Sequence, residues 1–247
     1  MLTEDQQRQF NDYVYRSFRD VADQDYITAR SAHRMGLYIP FLWLASQAVE
    51  KYLKAILIFN GRSVVNYKHD VLRLYQALGT INDIKFDFPN ELEDFMKYLS
   101  LYGQDRYFEH SVHLNGYELF RLDQAVWFIR RYCRMLRWRE NSGDNTVPSL
   151  AENLRRLHND DVKRGLSKLR LPDGLLGKVL KDKKNAARPA LLFANKYYGG
   201  KKIIRRITSH SAWPQNCITP EIFPELEKYV YFTPKTKAEI RKRLNCP

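Results

Sequence analysis

The spacing of the apolar residues is the feature that most constrains what this chain can fold into. In the first 140 residues they recur at intervals of three and four, the period of a helix with one buried side. The predicted helices of this part span residues 3–33, 41–59, about 69–78, about 89–101 and 115–139. No alternating run of β-branched residues predicts a sizeable sheet. The sequence therefore predicts an all-α fold.

Residues with known preferences for helix ends mark several of these boundaries. Thr3 and Gln6 have the spacing of a capping box, and Asn60-Gly61 is a pair that ends helices. Pro89 precedes a first turn that is rich in acids. The helix predicted to open at Asn115-Gly116 has basic residues on one side, and its apolar side comprises Leu119, Leu122, Val126, Ile129 and Cys133.

Residues 141–148, Asn-Ser-Gly-Asp-Asn-Thr-Val-Pro, have the composition of a linker. They predict a helical domain over residues 1–140 and a second region over residues 149–247. Short helices are predicted in that region at 148–158, 160–170, 175–183, 186–198, about 220–230 and about 235–244. We expect an antiparallel helical bundle followed by a smaller, mostly helical region.

Positive charge is concentrated in the second half of the chain. The formal net charge is +13. Residues 1–140 carry 19 Lys and Arg against 18 Asp and Glu, whereas residues 141–247 carry 22 against 10. Such asymmetry favours a polyanionic partner, most often nucleic acid, because each neutralised phosphate releases counterions. The alternative is a solvated basic surface that serves solubility.

Several classes of protein are disfavoured by the remaining composition. The three cysteines are scattered and lack the paired spacing of a zinc site or a disulfide framework. No basic-then-apolar signal segment is visible at the start, and the longest apolar patch, residues 37–45, contains Pro40 and is too short to cross a bilayer. We therefore expect a cytoplasmic protein with no membrane association, no metal and no cofactor.

The segment Gln47-Ala-Val-Glu-Lys-Tyr-Leu-Lys-Ala-Ile-Leu57 lies at the centre of the most apolar predicted helix. Glu50 and Lys54 are four residues apart and can pair on one helical face. Ala48 and Ala55 offer small surfaces to a neighbouring helix. His69-Asp70 further along predicts a capping pair at a helix start. These residues predict packing and a salt bridge, not chemistry.

The same segment, with Asp20 to Arg30 before it and Gly61 and Lys68-His-Asp-Val-Leu-Arg-Leu74 after it, resembles the HEPN superfamily. The resemblance covers a little over half of the chain. It implies a small helical domain of the kind found in prokaryotic toxin–antitoxin, abortive-infection and RNA-processing systems.

Active members of that superfamily carry an Arg followed, after four to six residues, by a His, and act as metal-independent endoribonucleases in which two motifs face each other across a dimer. Arg106 and His113 have six residues between them, whereas Arg106 and His110 have three. The resemblance implies Arg106, His113 and His110 as candidate catalytic residues. A His with a pKa of about 6.5 can transfer a proton at an RNA 2′-OH or at the leaving oxygen, and an Arg can hold the phosphate.

Two departures keep a nonfunctional or merely binding site open as an alternative. Active members commonly have a small polar residue after the Arg, where this chain has Tyr107. In one continuous helix Arg106, His110, His113 and Tyr117 would form a single stripe, but a helix start at Asn115-Gly116 would break it.

The segment Phe193–Arg206 interleaves aromatic and basic residues around two glycines. Rings beside cations suit unpaired RNA bases, and glycines let a backbone approach phosphates. The alternative is a basic surface turn between two buried segments. The candidate RNA-binding residues are Lys196, Tyr197, Tyr198, Lys201, Lys202, Arg205 and Arg206.

The leading hypothesis is an RNA-cleaving HEPN protein of a toxin or phage-defence system, in which an N-terminal homodimer cuts RNA that the basic half binds. The alternative is a non-catalytic module that binds a nucleotide or RNA, or docks onto a partner such as an antitoxin or a nucleotidyltransferase. A DNA-binding regulator fits the charge, but the sequence has no recognisable recognition helix.

Overall fold

The computed structural model describes residues 2–103, 112–114, 116–136, 150–159, 174–199, 210–212, 217–232 and 234–244, and every structural statement below concerns these. Helices dominate them, so the prediction of an all-α fold is confirmed. The only β-structure in this part of the chain is an antiparallel pair of three-residue strands, β1 (Val112–Leu114) and β2 (His210–Ala212).

The described residues up to Leu136 form a helical bundle. Its helices are α1 (Glu4–Val14), α2 (Asp20–Arg34), α3 (Tyr38–Phe59), α4 (Val71–Ala77), α5 (Glu91–Tyr102) and α6 (Glu118–Arg130). Short 3₁₀ turns occupy Val65–Tyr67 and Leu78–Thr80. Each of the five predicted helices is therefore present.

The first predicted helix is one continuous run with a defect in its middle. Thr3 and Gln6 form both hydrogen bonds of the capping box, which confirms that prediction. A π-helical turn, Tyr15–Arg19, joins α1 to α2. The run ends at Gly36, whose φ of 75° is accessible at little cost only to glycine.

Helix α3 is the central helix of the bundle. Twelve of its 22 residues are buried, and its most extensive packing is against α2. Pro40 lies in its first turn, where the missing N–H costs little. Ala48 and Ala55 are fully buried, as predicted for close helix contacts, and the helix ends at Asn60 as predicted.

Helix α6 is shorter than the sequence predicted, since it begins at Glu118 and ends at Arg130 rather than spanning 115–139. Its predicted apolar residues are all buried. Of the basic residues predicted on its other side, Arg130 and Arg131 are each only 1% exposed. Both find buried polar partners, which a pattern of charges along the sequence does not reveal.

The second half contains five helices in its described residues. They are α7 (Leu150–Leu157), α8 (Gly174–Lys181), α9 (Arg188–Leu192), α10 (Phe223–Leu226) and α11 (Pro234–Leu244). The helix predicted at 186–198 is shorter because Phe193 takes an extended ψ of 119° and Ala194 a positive φ of 49°. The helix predicted at 160–170 lies outside the described residues. No helix in the described ranges is both long and apolar enough to cross a bilayer.

The second half divides between two hydrophobic clusters. One set packs into the same core as α2, α3 and α6 and comprises Leu157, Leu176, Val179, Leu180, Leu191, Tyr197 and Tyr198. Phe223, Phe232 and Ile240 form a separate small core. The predicted linker, 141–148, lies outside the described residues, and the division of the chain there stays a prediction.

Candidate functional site

A buried carboxylate–guanidinium pair joins α2 to α6. Arg130 donates from Nε to Oδ1 of Asp23 at 3.0 Å and from Nη2 to Oδ2 at 2.9 Å. The Tyr52 hydroxyl on α3 donates to Oδ1 of the same carboxylate at 2.6 Å. Burial alone would lower the pKa of Arg130, but Asp23 outweighs burial and holds that pKa above its ordinary value. Removing either partner would leave an uncompensated charge in the core.

A second buried pair also joins α2 to α6, and its α2 residue is seven positions after Asp23. Arg30 on α2 donates to Asp123 on α6, and the Tyr26 hydroxyl donates to the same carboxylate oxygen at 2.7 Å. Arg30 and Asp123 are each 1% exposed. Burial raises the pKa of the Asp123 carboxyl, although Arg30 opposes this shift by stabilising the charged form. Two salt bridges thus lie in the interior between the same two helices.

Residues of the second half complete both pairs. The backbone N–H of Leu176 in α8 donates to Asp23 at 3.2 Å. Arg30 donates from Nε to the carbonyl of Ala190 at 3.0 Å and from Nη2 to that of Phe193. Asn195 donates to the Tyr26 hydroxyl at 2.9 Å. The polar interior of the bundle is therefore satisfied in part by atoms from residues 174–199.

Gly174 permits the close approach of α8 to these charges. Its φ is 73°, a conformation that L side chains rarely adopt. A Cβ built there would lie 2.7 Å from Nη2 of Arg130 and 2.7 Å from Oδ1 of Asp20. Any side chain at 174 would have to displace a charged group, so the start of α8 depends on glycine.

Arg131 ties a further part of the second half to the bundle. Its guanidinium donates to three backbone carbonyls, those of Phe128 at 3.2 Å, Leu157 at 3.0 Å and Asp87 at 3.1 Å. Burial lowers the pKa of Arg131. The carbonyl at the end of α7 is therefore held by a buried cation of the bundle.

The short strand pair connects the two halves at another point. Strand β1 pairs with β2 in antiparallel register, with Val112 opposite Ala212, His113 opposite Ser211 and Leu114 opposite His210. Leu114 is buried in the main core and anchors β1 to the bundle. Residues 210–212 of the basic half therefore lie directly beside the backbone of His113.

Comparison with protein families identifies the bundle. A family model described as HEPN domain matches residues 15–138, slightly more than half of the chain. This chain belongs to the HEPN family. Comparisons with curated proteins and with solved structures gave no match. The HEPN match includes both buried pairs but ends before α7, so Leu176, Ala190, Phe193 and Asn195 complete the HEPN interior from outside the family region.

The predicted HEPN catalytic residues fall mostly outside the described part of the chain. Arg106 and His110 lie outside the described residues. Of His113 the structure describes only the backbone, which is part of β1. Tyr117 is the residue before α6 and is 51% exposed. The alternative of one continuous helix over 106–117 is wrong, because residues 112–114 are extended. The catalytic assignment itself stays a prediction.

The predicted RNA-binding segment is described only in part. Lys196 is exposed, and its Nζ lies 5.9 Å from the centre of the Tyr197 ring. Tyr197 and Tyr198 are 8% and 1% exposed and pack on Trp127, with ring centres 5.2 Å and 5.6 Å away. An RNA base cannot reach either ring unless that ring leaves the core. The remaining predicted residues, Lys201, Lys202, Arg205 and Arg206, lie outside the described ranges, and RNA binding by this segment stays a prediction.

The HEPN sequence motif has the structural role that the sequence predicted. Lys54 pairs with Glu50 at 2.6 Å, and Asp70 caps α4 by accepting from the backbone of Arg73 at 3.0 Å. Glu50, 3% exposed, also lies 3.2 Å from Nδ1 of His69. Because His69 precedes α4, Glu50 links α3 to the start of that helix.

Sequence reasoning missed the buried pairs, although a signal for them exists. In the predicted apolar stripe of α6, Asp123 is four residues after Leu119 and three before Val126, so it falls on the buried side. On α2, Asp23 and Arg30 are seven residues apart and share one face. Charged residues at core positions of a helix predict buried partners, since an unpaired charge there is costly.

A cleft of about 680 Å³ opens beside the π-helical turn, where the bundle meets α8. Its polar walls are nearly balanced in charge, because Arg16 pairs with Asp12 at 2.8 Å and Arg19 with Asp20 at 2.9 Å. Its lining residues are Asp12, Tyr15, Arg16, Arg19, Asp20, Gly174 and Lys178. The cleft therefore does not carry the excess positive charge of the second half.

The described residues contain no candidate metal site, and one of their two cysteines is buried. No group of three His, Cys, Asp or Glu there could hold a metal ion. Cys133 is buried and Cys217 is exposed, and both are free thiols. Burial raises the pKa of the Cys133 thiol to about 12, so this group is a poor nucleophile at neutral pH.

Proposed function

We propose that this HEPN protein is a metal-independent endoribonuclease of a toxin or phage-defence system, acting as a homodimer. In this proposal Arg106 holds the scissile phosphate, while His113 and His110 transfer protons. The basic second half binds RNA and guides it to these residues. HEPN domains as a family comprise ribonucleases and nucleotide-binding modules, which supports RNA as the substrate.

The observation that carries the proposal is the pairing of β1 with β2. It brings residues 210–212 of the half that holds nearly all the excess positive charge alongside the backbone of His113. Positive charge in that half would attract RNA toward the part of the bundle that contains the candidate catalytic segment. The buried contacts of residues 174–199 with α2 and α6 hold a second part of this half against the same bundle.

The chemistry requires only the residues named and the RNA itself. One His removes the proton of a 2′-OH, and the 2′-oxygen attacks the adjacent phosphorus. The bond from phosphorus to the 5′-oxygen breaks, and the second His, or its counterpart on the other protomer, protonates that oxygen. Arg106 stabilises the extra negative charge on the phosphate in the transition state. The products are a 2′,3′-cyclic phosphate and a 5′-OH.

The test is RNA cleavage by purified protein in excess chelator. We expect wild type to cleave RNA and to leave intact the same RNA with 2′-deoxy nucleotides. Arg106→Ala and His113→Ala should each lower the rate by at least about 100-fold, the usual contribution of one general acid, base or oxyanion donor. His110→Ala shows whether that residue is the second proton carrier.

The matched control is His69→Ala, which removes an exposed His from the same domain. His69 lies just before α4, where its imidazole contacts Glu50 of α3, and it has no part in the proposed reaction. Cleavage should be unchanged in this variant. No cleavage by wild type, or equal rates in wild type and the Arg106, His110 and His113 variants, would refute the nuclease. RNA binding without cleavage would instead support the non-catalytic module.

The toxin or defence role has a separate test in cells. Induced wild-type protein should arrest growth, and the His113→Ala variant at the same level should not. Equal growth in both cultures would contradict this role even if cleavage were observed in vitro.

A further inference from the structure

The last part of the chain forms a small unit with its own core. This core consists of Phe223 in α10, Phe232 between the two helices and Ile240 in α11, which are 2%, 8% and 1% exposed. The two phenylalanine rings lie 5.7 Å apart. Ile218, Leu226 and Leu244 cover this core. The unit is small, but its hydrophobic contacts fix how the chain passes from α10 to α11.

The turn between these helices exposes two tyrosines. Tyr229 is 80% exposed and Tyr231 is 78% exposed, while Phe232 next to them is buried. The backbone N–H groups of Tyr229 and Val230 both donate to the carbonyl of Leu226, at 3.0 Å and 2.8 Å. The two rings are therefore presented to solvent from a backbone that hydrogen bonds and the core hold in place.

Positive charge lies beside this turn. Lys237 and Arg241 of α11 reach Glu227, two residues before Tyr229, at 3.0 Å and 3.4 Å. Helix α11 carries five basic residues and one acidic residue. Two basic side chains of α11 thus contact a residue that is two positions before Tyr229, and Glu227 offsets only part of the positive charge of α11.

We propose that Tyr229 and Tyr231 form a stacking surface for the bases of single-stranded RNA, with Lys237 and Arg241 contacting the adjacent phosphates. Exposed aromatic rings beside cations suit unpaired bases, whose faces are open, and do not suit a duplex, whose bases are already stacked. The proposal rests on RNA as the partner of the proposed function, and it names the class of RNA as single-stranded. These residues are distinct from the buried rings of Tyr197 and Tyr198.

The test measures binding without cleavage. The probe is a fluorescent 2′-O-methyl oligouridine of about 12 nucleotides, a length within the span of single-strand binding sites. It has no free 2′-OH, so its affinity for the full chain is measurable whether or not the protein is a nuclease. Tyr229→Ala and Tyr231→Ala should each raise the Kd by about tenfold, since one base–ring stack contributes about that much.

Two controls separate stacking from loss of structure. Tyr229→Phe and Tyr231→Phe keep the ring and should bind within about twofold of wild type. Tyr13→Ala removes a tyrosine that is 62% exposed on α1 and should not change the Kd. A duplex of the same length should compete poorly with the single strand, because its base faces are covered.

Three results would overturn the proposal. Unchanged affinity in both Ala variants would exclude the rings from binding, and an equal loss in the Phe variants would exclude stacking. Equal competition by the duplex would reduce the surface to a site for phosphates. If the affinity is unchanged and the oligomeric state of the Ala variants differs from wild type, the rings belong instead to a contact between copies of the chain.

Discussion

Residues 174–199 and residues 217–244 both follow the HEPN region, yet they are stabilised in different ways. The first segment inserts Leu176, Leu191 and Tyr198 into the core of the bundle and satisfies buried charges on α2. The second has a three-residue core of its own. The first segment therefore depends on the bundle for its structure, while the second depends on its own apolar contacts.

The difference concerns how each segment can be lost. Buried polar contacts are costly to break, because the groups left behind have neither water nor a partner. A small core has little apolar area to lose before it unfolds. Damage to the charges should therefore destabilise the bundle together with residues 174–199, whereas damage to the small core should remain local.

The largest effect is expected from Asp23→Ala. This substitution removes the carboxylate that forms a two-point contact with buried Arg130 and accepts from Tyr52 and from the Leu176 N–H. We expect a loss of about 3–5 kcal/mol in the free energy of unfolding, measured by urea denaturation. Asp12→Ala is the matched control, since it breaks an exposed Asp–Arg pair on the same helical run and should cost less than about 1 kcal/mol. Similar losses in the two variants would contradict the stabilising role of the buried pair.

Phe223→Ala tests whether the small core is independent. Loss of a buried Phe side chain costs about 3–5 kcal/mol, which should exceed the stability of so small a unit. Hydrogen exchange should then show lost protection over residues 217–244 and unchanged protection in α3. Lower protection throughout α3 would mean that the two cores unfold together.

Asn195→Ala tests the junction between residues 174–199 and the bundle. The Asn195 amide donates to the Tyr26 hydroxyl and the Leu191 carbonyl and accepts from the N–H groups of Tyr197 and Tyr198. Unsatisfied, these buried groups should destabilise the chain by about 1–3 kcal/mol in urea unfolding. Asn185→Ala, which removes one half-buried contact to Ala187, should have a smaller effect. Equal losses of unfolding free energy in the two variants would show that the buried contacts of Asn195 stabilise the chain no more than the half-buried contact of Asn185.

The sequence predicted the parts of the fold that depend on local periodicity. The apolar side of α6, the buried Ala48 and Ala55 of α3, the capping box at Thr3 and the pair of Glu50 with Lys54 are all present as predicted. These features involve residues within a few positions of one another, where helical geometry alone determines which side chains meet.

The contacts between distant residues were not predictable in the same way. Asp23 and Arg130 are 107 positions apart, and Asn195 and Tyr26 are 169 apart, so no helical period relates them. Tyr197 and Tyr198 illustrate the same limit. Their position beside lysines in the sequence predicts stacking on RNA bases, but in the structure both rings pack on Trp127. The candidate catalytic residues were assigned from the resemblance to a family. Of their local structure, only the strand that contains His113 is described.

The smallest effect expected concerns His33, which lies at the end of α2 beside Arg30, the residue that holds Ala190 and Phe193. Burial, together with the nearby charge of Arg30, lowers the pKa of His33 to about 4. The unfolded chain takes up a proton at a pH of about 6.5, whereas the folded chain resists it down to a pH of about 4. Stability from this group is therefore complete above pH 6.5 and is lost as the pH falls toward 4.

His33→Phe, which keeps a ring against Phe41, should reduce the difference in unfolding free energy between pH 7 and pH 4.5. An unchanged difference would show that protonation of His33 does not weaken the junction at Arg30.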